Sequence, residues 1–401
     1  MSNRRDFLKL STLASAAFMM PQFLKASGRI IAPGTGKGKV LVVVQLSGGN
    51  DWLNTLVPFR NDAYYKARPS IGLQQNELIK ITDNAAFNNN LGGLAELYDN
   101  GNLAIINSVG YENPVLSHFR SMDIWQGATD ATDYSSTGWI GRFLDHTCSP
   151  ECAKPHTAIE IDDSLSLAMK GERLKAIACS NPDILNRSAQ NTIARSVAAK
   201  QHADEHRHPN AAFLHKTLVE TLQSTDYIYS QSKIYKSASL YPFHEFGTRL
   251  KTIAELIISG SETQVYYISL GSFDTHAIQK FSQNRLLKIY SDAIKAFCND
   301  LKLNNRFEDT MILTFSEFGR RVAQNAGKGT DHGAAGNVFI AGGKLAKSGI
   351  LNPLPDLENL EDGNLKYTID FRRVYATLLE NWLQTPSANI LGRNFEKLNF
   401  A

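Results

Sequence analysis

Short apolar runs that end in polar residues recur along this chain, and they constrain its fold more than any other feature. The first run, VLVVVQL at residues 40–46, leads into Gly48-Gly49-Asn50-Asp51. It shows no alternation of apolar and polar residues, which is typical of a strand buried on both faces of a parallel sheet. Similar runs occur at residues 102–110, 265–274, 309–319 and 337–343.

Helical patterns separate these predicted strands. Residues 284–302 form a long amphipathic pattern directly ahead of a strand, and residues 370–384 form another, with Asp370 as a plausible N-cap. Strands and helices that alternate at this spacing predict an α/β fold with a mostly parallel sheet. We expect one domain over residues 38–401, with a polar, helical cap or insertion at about 135–260.

The N-terminal residues predict an export signal. Arg4-Arg5 precedes Phe7-Leu8-Lys9 and a weakly apolar run, which is the layout of a twin-arginine signal peptide. We assign residues 1–28 to this signal and the start of a linker, with cleavage near Ala14-Ser15-Ala16 or Ala26-Ser27; an ordinary amphipathic start is the alternative. We therefore expect a periplasmic or secreted protein that reaches its location by the twin-arginine pathway.

Charge and hydrophobicity exclude several classes of partner. The formal net charge is +3, which gives no reason to expect nucleic acid as a partner. No apolar run after the signal reaches the roughly 18 residues of a transmembrane helix, so we expect no membrane span in the mature chain. Cys148 and Cys152 are close enough in sequence to form a disulfide in an oxidising compartment. His202 and His206 are spaced as a metal pair, although their polar surroundings favour a solvated surface.

Acidic and imidazole side chains follow several of the predicted strands. Because ligands bind beyond the carboxyl ends of parallel strands, we expect these side chains to share one edge of the sheet. Each alone also has a simpler explanation as a turn former, an N-cap or a loop residue. Together they suit one or two divalent cations, zinc above all, with manganese or calcium as alternatives. The candidate ligands are Asp51, Asp274, His276, Glu317, Asp331 and His332.

A candidate nucleophile lies in the segment ENPVLSHFRSMDIWQGA at residues 112–128. Ser117 and His118 stand at the start of a predicted helix, where backbone N–H groups and the helix dipole favour an anion. The alternative is that Ser117 is only an N-cap. We also assign catalytic roles to Arg120 and Arg320 as groups that bind an anionic substrate, with Arg321 as an alternative to Arg320.

Several of these segments together resemble one bacterial family. The runs VQLSGGNDWLNTLVP, YENPVLSHFRSMDIWQ, GSFDTH, TFSEFGRRV, GTDHG and LKYTIDFRRVYATLLENWL are similar to domain of unknown function 1501 over nearly the whole mature chain. That family is grouped with the alkaline phosphatase and sulfatase superfamily. The resemblance implies a three-layer α/β/α sandwich with a metal-dependent site at the strand ends. It also implies a partner, a co-encoded exported protein.

The same resemblance assigns roles residue by residue. It implies a first acidic ligand at Asp51, a nucleophile at Ser117, an Asp-His pair at Asp274 and His276, and a late histidine at His332. A second Asp-His pair is expected at Glu317 and Phe318, where phenylalanine cannot bind a metal. The resemblance therefore implies one imidazole-rich cation, on Asp274, His276 and His332. It implies one weaker cation or none on Asp51, Glu317 and Ser117, unless His118 or Asp331 replaces the missing histidine.

Two main functions follow from these observations. The first is an exported metal-dependent hydrolase of phosphate or sulfate esters, acting on an anionic small molecule or a glycan ester. Phosphate chemistry is favoured because SHFRS lacks the proline of a formylglycine motif. The second is a non-catalytic secreted binding or assembly protein with a degraded site, which Phe318 favours. A carbohydrate-active, metal-dependent protein is a third reading that differs only in substrate.

Overall fold

A computed structural model describes residues 38–147, 154–199 and 209–401. The strands are β1 (Val40–Leu46), β2 (Leu56–Val57), β3 (Leu78–Lys80), β4 (Ala86–Asn88), β5 (Leu103–Gly110), β6 (Ala158–Glu160), β7 (Ile177–Ala178), β8 (Val265–Leu270), β9 (Thr310–Phe315), β10 (Gly319–Arg320), β11 (His332–Gly333), β12 (Gly336–Gly342), β13 (Gly349–Ile350) and β14 (Ile369–Asp370). The α-helices are α1 (Asp62–Ala67), α2 (Gly92–Asp99), α3 (His118–Gly127), α4 (Trp139–Thr147), α5 (Pro182–Ala189), α6 (Thr192–Ala199), α7 (Pro209–Gln231), α8 (Glu245–Ile258), α9 (Gln279–Leu303), α10 (Phe371–Thr377) and α11 (Ala388–Leu391).

The central sheet is mostly parallel. Its strand order is β13-β5-β12-β9-β1-β8-β6-β7, with β14 also paired to β5. Every pairing is parallel except those of β12, which runs antiparallel to both β5 and β9. The carboxyl ends of β1, β8 and β9 and the amino end of β12 therefore lie at the same edge. The loops at this edge carry most of the residues predicted to bind metal.

Alternate residues of β1 pack into two separate cores, one on each face of the sheet. Val40, Val42 and Val44 belong to a core with residues of α2, α8 and α9. Leu41 and Val43 belong to the opposite core, with residues of α3, α4, α10 and α11. Burial on both faces explains why β1 is continuously apolar. The predicted fold class, a three-layer α/β/α sandwich with a mostly parallel sheet and a helical insertion, is confirmed.

The stretch at about 135–260 contains more than helices. Strands β6 and β7 extend one end of the central sheet, and α4 and α8 each contribute to one of the two cores. Helices α5 and α6 instead pack against α7. The helical insertion thus corresponds to α5, α6 and α7, while the division of the chain into a signal and one domain stays a prediction.

Several predictions concern residues outside the described ranges. These include the export signal, the Cys148–Cys152 disulfide and the His202–His206 pair, all of which stay predictions. Among the helices that the structure describes, none combines the length and apolar character needed to cross a membrane.

Candidate metal centre

A turn of two glycines brings the loops at the sheet edge into close contact. Gly48 has φ +116°, and a Cβ atom there would lie 2.4 Å from the backbone nitrogen of Asp274. Gly49 has φ +73°, and its Cβ would lie 2.2 Å from a ring carbon of Phe318. Any larger residue would push these loops apart and strain the backbone. The turn after β1 is therefore what lets the loops after β8 and β9 meet.

Three histidines converge on one carboxylate oxygen where these loops meet. The Oδ1 atom of Asp274 lies 3.0 Å from Nε2 of His276, 3.2 Å from Nε2 of His332 and 3.5 Å from Nε2 of His118. The ligand atoms of His118, Asp274 and His332 all lie within 4.8 Å of one another. The Nε2 atoms of His276 and His332 are 3.0 Å apart. Three imidazoles and one carboxylate thus form a single cluster.

The other ring nitrogen of each histidine contacts an oxygen acceptor. His332 Nδ1 lies 2.7 Å from the carbonyl oxygen of Leu116 and must donate, because a carbonyl only accepts. His118 Nδ1 lies 2.9 Å from Oε1 of Glu317, and His276 Nδ1 lies 3.3 Å from Oδ1 of Asp331. Donation from Nδ1 leaves the Nε2 lone pair of each neutral ring free. Oxygen partners of this kind orient histidines that bind metals.

The cluster fits a divalent cation. Three Nε2 lone pairs around a carboxylate have no hydrogen to share, so they repel one another unless a cation or added protons lie between them. Among the described residues, His118 Nε2 is a buried atom with no hydrogen-bond partner. Three imidazole nitrogens and one carboxylate oxygen are a ligand set that suits zinc. We therefore identify His118, Asp274 and His332 as the residues that would hold the ion, with His276 Nε2 beside them at 3.0 Å from Asp274 Oδ1 and from His332 Nε2.

Glu317 and Asp331 lie behind this cluster and orient its histidines. Glu317 is fully buried, and its Oε1 accepts hydrogen bonds from the Gly48 N–H and from His118. That bond to Glu317 raises the pKa of His118 above its ordinary value, against an opposing effect of burial. Hydrogen bonds from Asn325 and His276 lower the pKa of Asp331. In the structure both predicted ligands contact a histidine of the cluster, and their assignment as metal ligands stays a prediction.

Arg320 is a buried structural arginine. Its guanidinium donates to the backbone carbonyls of Gly48, Gly49, Phe273 and Thr330, and Nη2 lies 2.8 Å from Asp274 Oδ1. Burial raises the pKa of Asp274, but the hydrogen bond from Arg320 and its positive charge oppose this effect, and the pKa is lowered to about 2. Asp274 is therefore ionised at neutral pH. Because Arg320 is committed to these contacts, it is poorly placed to bind a substrate anion.

Asp51 does not join the cluster. It is almost fully buried, and its Oδ2 lies 2.6 Å from Nη1 of Arg68, whose side chain is also buried. Gln279 donates to the same oxygen, and Oδ1 accepts from the N–H of Leu53. A guanidinium thus neutralises the carboxylate that the resemblance assigns to a second cation. The sequence around Arg68 contains no pattern that predicts its ion pair with Asp51.

Ser117 and Arg120 lie at the start of α3 in different environments. Ser117 is exposed and occupies the N-cap position, but its side chain makes no capping hydrogen bond. Its neighbour His118 belongs to the cluster, and its neighbour Leu116 contacts the cluster through His332. Arg120 instead donates to the carbonyls of Ala131 and Asp133. Ser117 is therefore exposed next to a residue of the cluster, whereas Arg120 is bonded to a neighbouring loop.

Phe318 contacts the histidines without being able to bind metal. Its ring centroid lies 4.8 Å from that of His118 and 4.5 Å from that of His332. His118 thus lies beside the position where the resemblance implied a histidine. The sequence named His118 chiefly as a catalytic residue, and only the packing of α3 against the loop after β9 shows it among the candidate ligands.

Solved structures that resemble this chain were found at low identity. The zinc complex of the C-terminal periplasmic domain of EcEptC from Escherichia coli is 12% identical, with a TM-score of 0.34, covering 78% of this chain and 74% of that one. PsFucS1 sulfatase from Pseudoalteromonas sp. is 13% identical, with a TM-score of 0.39 and coverages of 91% and 71%. The lipoteichoic acid synthase LtaP from Listeria monocytogenes is 9% identical, with a TM-score of 0.33 and coverages of 79% and 69%.

At these identities and TM-scores the neighbours' activities are not transferred to this chain. No curated protein matches it. One family model does match, over residues 104–382, a span that covers more than half of the chain and all of the metal cluster. The chain belongs to the family described as Protein of unknown function (DUF1501).

Proposed function

We propose that this protein is a metal-dependent hydrolase of phosphate or sulfate esters. The observation that carries the proposal is the arrangement of three histidines, each with Nδ1 held by an oxygen and Nε2 facing Asp274 Oδ1. Such a cluster has the form of a zinc site with oriented ligands. When bound, the cation would supply positive charge that polarises an ester oxygen and stabilises a developing anion.

Ser117 is the residue best placed to act as nucleophile. Its hydroxyl is exposed and free of a capping bond, and the residues on either side of it are anchored to the cluster. It lies at the N-terminus of α3, a helix of ten residues whose dipole favours a negatively charged group there. These features favour an anionic ester as the substrate and the Ser117 oxygen as the attacking group.

Of the three arginines predicted to bind an anionic substrate, Arg321 is the one that Arg120 and Arg320 leave as the candidate. It is exposed and follows the buried Arg320, and its backbone nitrogen donates to the carbonyl of Asp331 at 3.0 Å. Its charge lowers the pKa of Asp331, which places it near the acid that orients His276. Arg321 rather than Arg320 or Arg120 would therefore bind the anionic group of the ester.

A non-catalytic binding or assembly protein is the second candidate. The Asp51–Arg68 ion pair favours it, because the carboxylate assigned to a second cation is already neutralised. Two further parts of the proposal rest on the sequence alone. They are export by the twin-arginine pathway to the periplasm or outside the cell, and a co-encoded exported protein as partner.

The metal content of the purified full-length protein tests the proposal. Elemental analysis would compare the wild type with His332→Ala and Ser117→Ala, and turnover of p-nitrophenyl phosphate and p-nitrophenyl sulfate would follow on the same samples. We expect stoichiometric zinc in the wild type and in Ser117→Ala, and loss of zinc in His332→Ala. We expect activity only in the wild type, with Ser117→Ala reduced by about a thousandfold or more.

The outcomes separate the two candidates. Zinc without turnover of any ester would favour the binding protein with an intact metal site. Absence of zinc, manganese and calcium from every preparation, and no uptake on titration, would refute the metal-dependent hydrolase.

A further inference from the structure

A polar cavity of about 460 Å³ lies at the far end of the helix that carries His118. It is formed where the C-terminus of α3, the loop that follows it, α4, α10 and α11 meet. Three arginines, two aspartates, hydroxyl groups and one tyrosine contribute to its wall, so it is neither an apolar groove nor a packing defect. Its lining includes Asp130, Tyr134, Thr137, Arg142, Arg372 and Arg393.

The Arg372 part of the cavity wall lies near the same edge of the sheet as the histidine cluster. Asp370, two residues before Arg372, pairs with Gly110 at the carboxyl end of β5. Helix α3 has ten residues and is therefore about 15 Å long, with His118 at one end and the cavity residue Gly127 at the other. A single ligand that reaches both the histidine cluster and the cavity must therefore span about 15 Å, which requires several linked units.

Arg120 and Tyr134 connect the two sites. Arg120, two residues after His118, donates to the carbonyls of Ala131 and Asp133, and its guanidinium lies 3.9 Å from the ring centroid of Tyr134. The Tyr134 ring lines the cavity and is 83% exposed. An exposed aromatic ring held in place by a cation is a preformed surface on which a flat ligand can stack.

Positive charge inside the cavity is only partly neutralised. Arg372 is paired with Asp370 and Asp130, and Arg393 lies 2.8 Å from Asp130. Arg142, by contrast, donates to the carbonyls of Gly127, Thr137 and Ile390, with no carboxylate partner in the parts of the chain that the structure describes. The Arg393 side chain is 55% exposed. The cavity can therefore accept an anionic group beside a ring that stacks.

We propose that this cavity binds an acidic sugar unit of a glycan, carrying a carboxylate or sulfate group. Tyr134 stacks on the sugar ring, Arg393 binds the acidic group, the charge of Arg142 attracts that group, and Asp130 and Thr137 bond to its hydroxyls. The subsite would make a glycan ester the substrate of the proposed hydrolase. Its role in catalysis therefore rests on that proposed function. Binding itself does not require the metal.

Calorimetric titration of the full chain, with metal removed by EDTA, tests the subsite. The probes are a hexamer of galacturonic acid, a chondroitin sulfate hexasaccharide and neutral maltohexaose. The variants are Tyr134→Ala and Arg393→Gln, both at exposed side chains that leave the cores intact. Arg285→Gln is the matched control, since Arg285 is exposed on α9 at the opposite face of the sheet. Circular dichroism would confirm that each variant folds.

We expect at least one acidic oligosaccharide to bind and maltohexaose not to bind. Binding of the galacturonic acid hexamer would show that a carboxylate is sufficient, whereas binding of the chondroitin sulfate hexasaccharide alone would show that a carboxylate by itself is not. We expect Tyr134→Ala and Arg393→Gln each to weaken binding by about tenfold, with Arg285→Gln unchanged. No binding of either acidic probe, binding of maltohexaose alone, or equal weakening by Arg285→Gln would overturn the proposal. Because no metal is present during the titration, failure of the proposed subsite can be distinguished from failure of the proposed hydrolase.

Discussion

Replacing Glu317 by glutamine tests whether this acid acts through His118. Glu317 is fully buried and does not face Asp274; its Oε1 accepts from the N–H of Gly48 at 2.8 Å and from His118 Nδ1 at 2.9 Å. Glutamine preserves the volume and one acceptor oxygen but removes the negative charge. The Nδ1–H of His118 then meets a weaker acceptor, and Nε2 becomes a weaker ligand.

The expected magnitude follows from this indirect role. Removing the oxygen partner of a metal-binding histidine lowers metal affinity by roughly 10- to 100-fold, which is about 1.4–2.7 kcal/mol. Loss of a direct ligand, as in His332→Ala, is expected to lower the affinity by more. Glu317→Gln should therefore fall between the wild type and His332→Ala.

Zinc affinity would be measured by competition with a fluorescent chelator at constant pH and ionic strength. Glu255→Gln is the matched control, because Glu255 is also buried and hydrogen-bonded, to Lys236 and Ser237, in the core on the other face of the sheet. Urea unfolding of the metal-free proteins would separate a loss of affinity from a loss of folding.

Two results would contradict the assignment. Unchanged zinc affinity in Glu317→Gln would show that the hydrogen bond to His118 does not influence the metal. An affinity as low as that of His332→Ala would show that Glu317 itself is a ligand, as the resemblance implied.

Three further perturbations have defined outcomes. Arg68→Met leaves the carboxylate of Asp51 buried and without its ion-pair partner. Urea unfolding should therefore show that the free energy of unfolding falls by about 3–5 kcal/mol, while the folded protein keeps its zinc. Loss of zinc without loss of stability would instead indicate that Asp51 is a ligand. Burial raises the pKa of Glu160 from 4.5 to about 7, so the folded state holds a proton that the unfolded state loses as pH rises through this window. Stability should therefore fall by up to about 3 kcal/mol between pH 4.5 and 8, and Glu160→Gln should abolish this fall; parallel pH profiles for the two proteins would refute it. Asp331→Asn should lower zinc affinity by less than tenfold, because the Asp331 side chain is 55% exposed and water can replace its hydrogen bond to His276. A larger loss of affinity would mean that Asp331 binds the metal.

The sheet and its edge could be predicted from the sequence because strand patterns are local. The seven apolar-rich residues 40–46 indicate a strand that is buried on both faces. The polar residues that follow them must therefore lie at the end of that strand. This reasoning placed Asp274, His276 and His332 in one region, and the structure brings these three together. The metal that they would hold stays a proposal.

The partners of the side chains could not be predicted in the same way. The carboxylate of Asp51 meets Arg68, and His118 meets Glu317 across 199 positions of sequence. Whether an acid faces a cation site or an arginine depends on loop paths and helix docking, which leave no periodic signal in the chain. The sequence thus determined which residues reach the edge of the sheet, whereas only the tertiary structure decided which of them surround Asp274. The physical reason is that burial patterns repeat locally, while the contacts that pair charges are long-range.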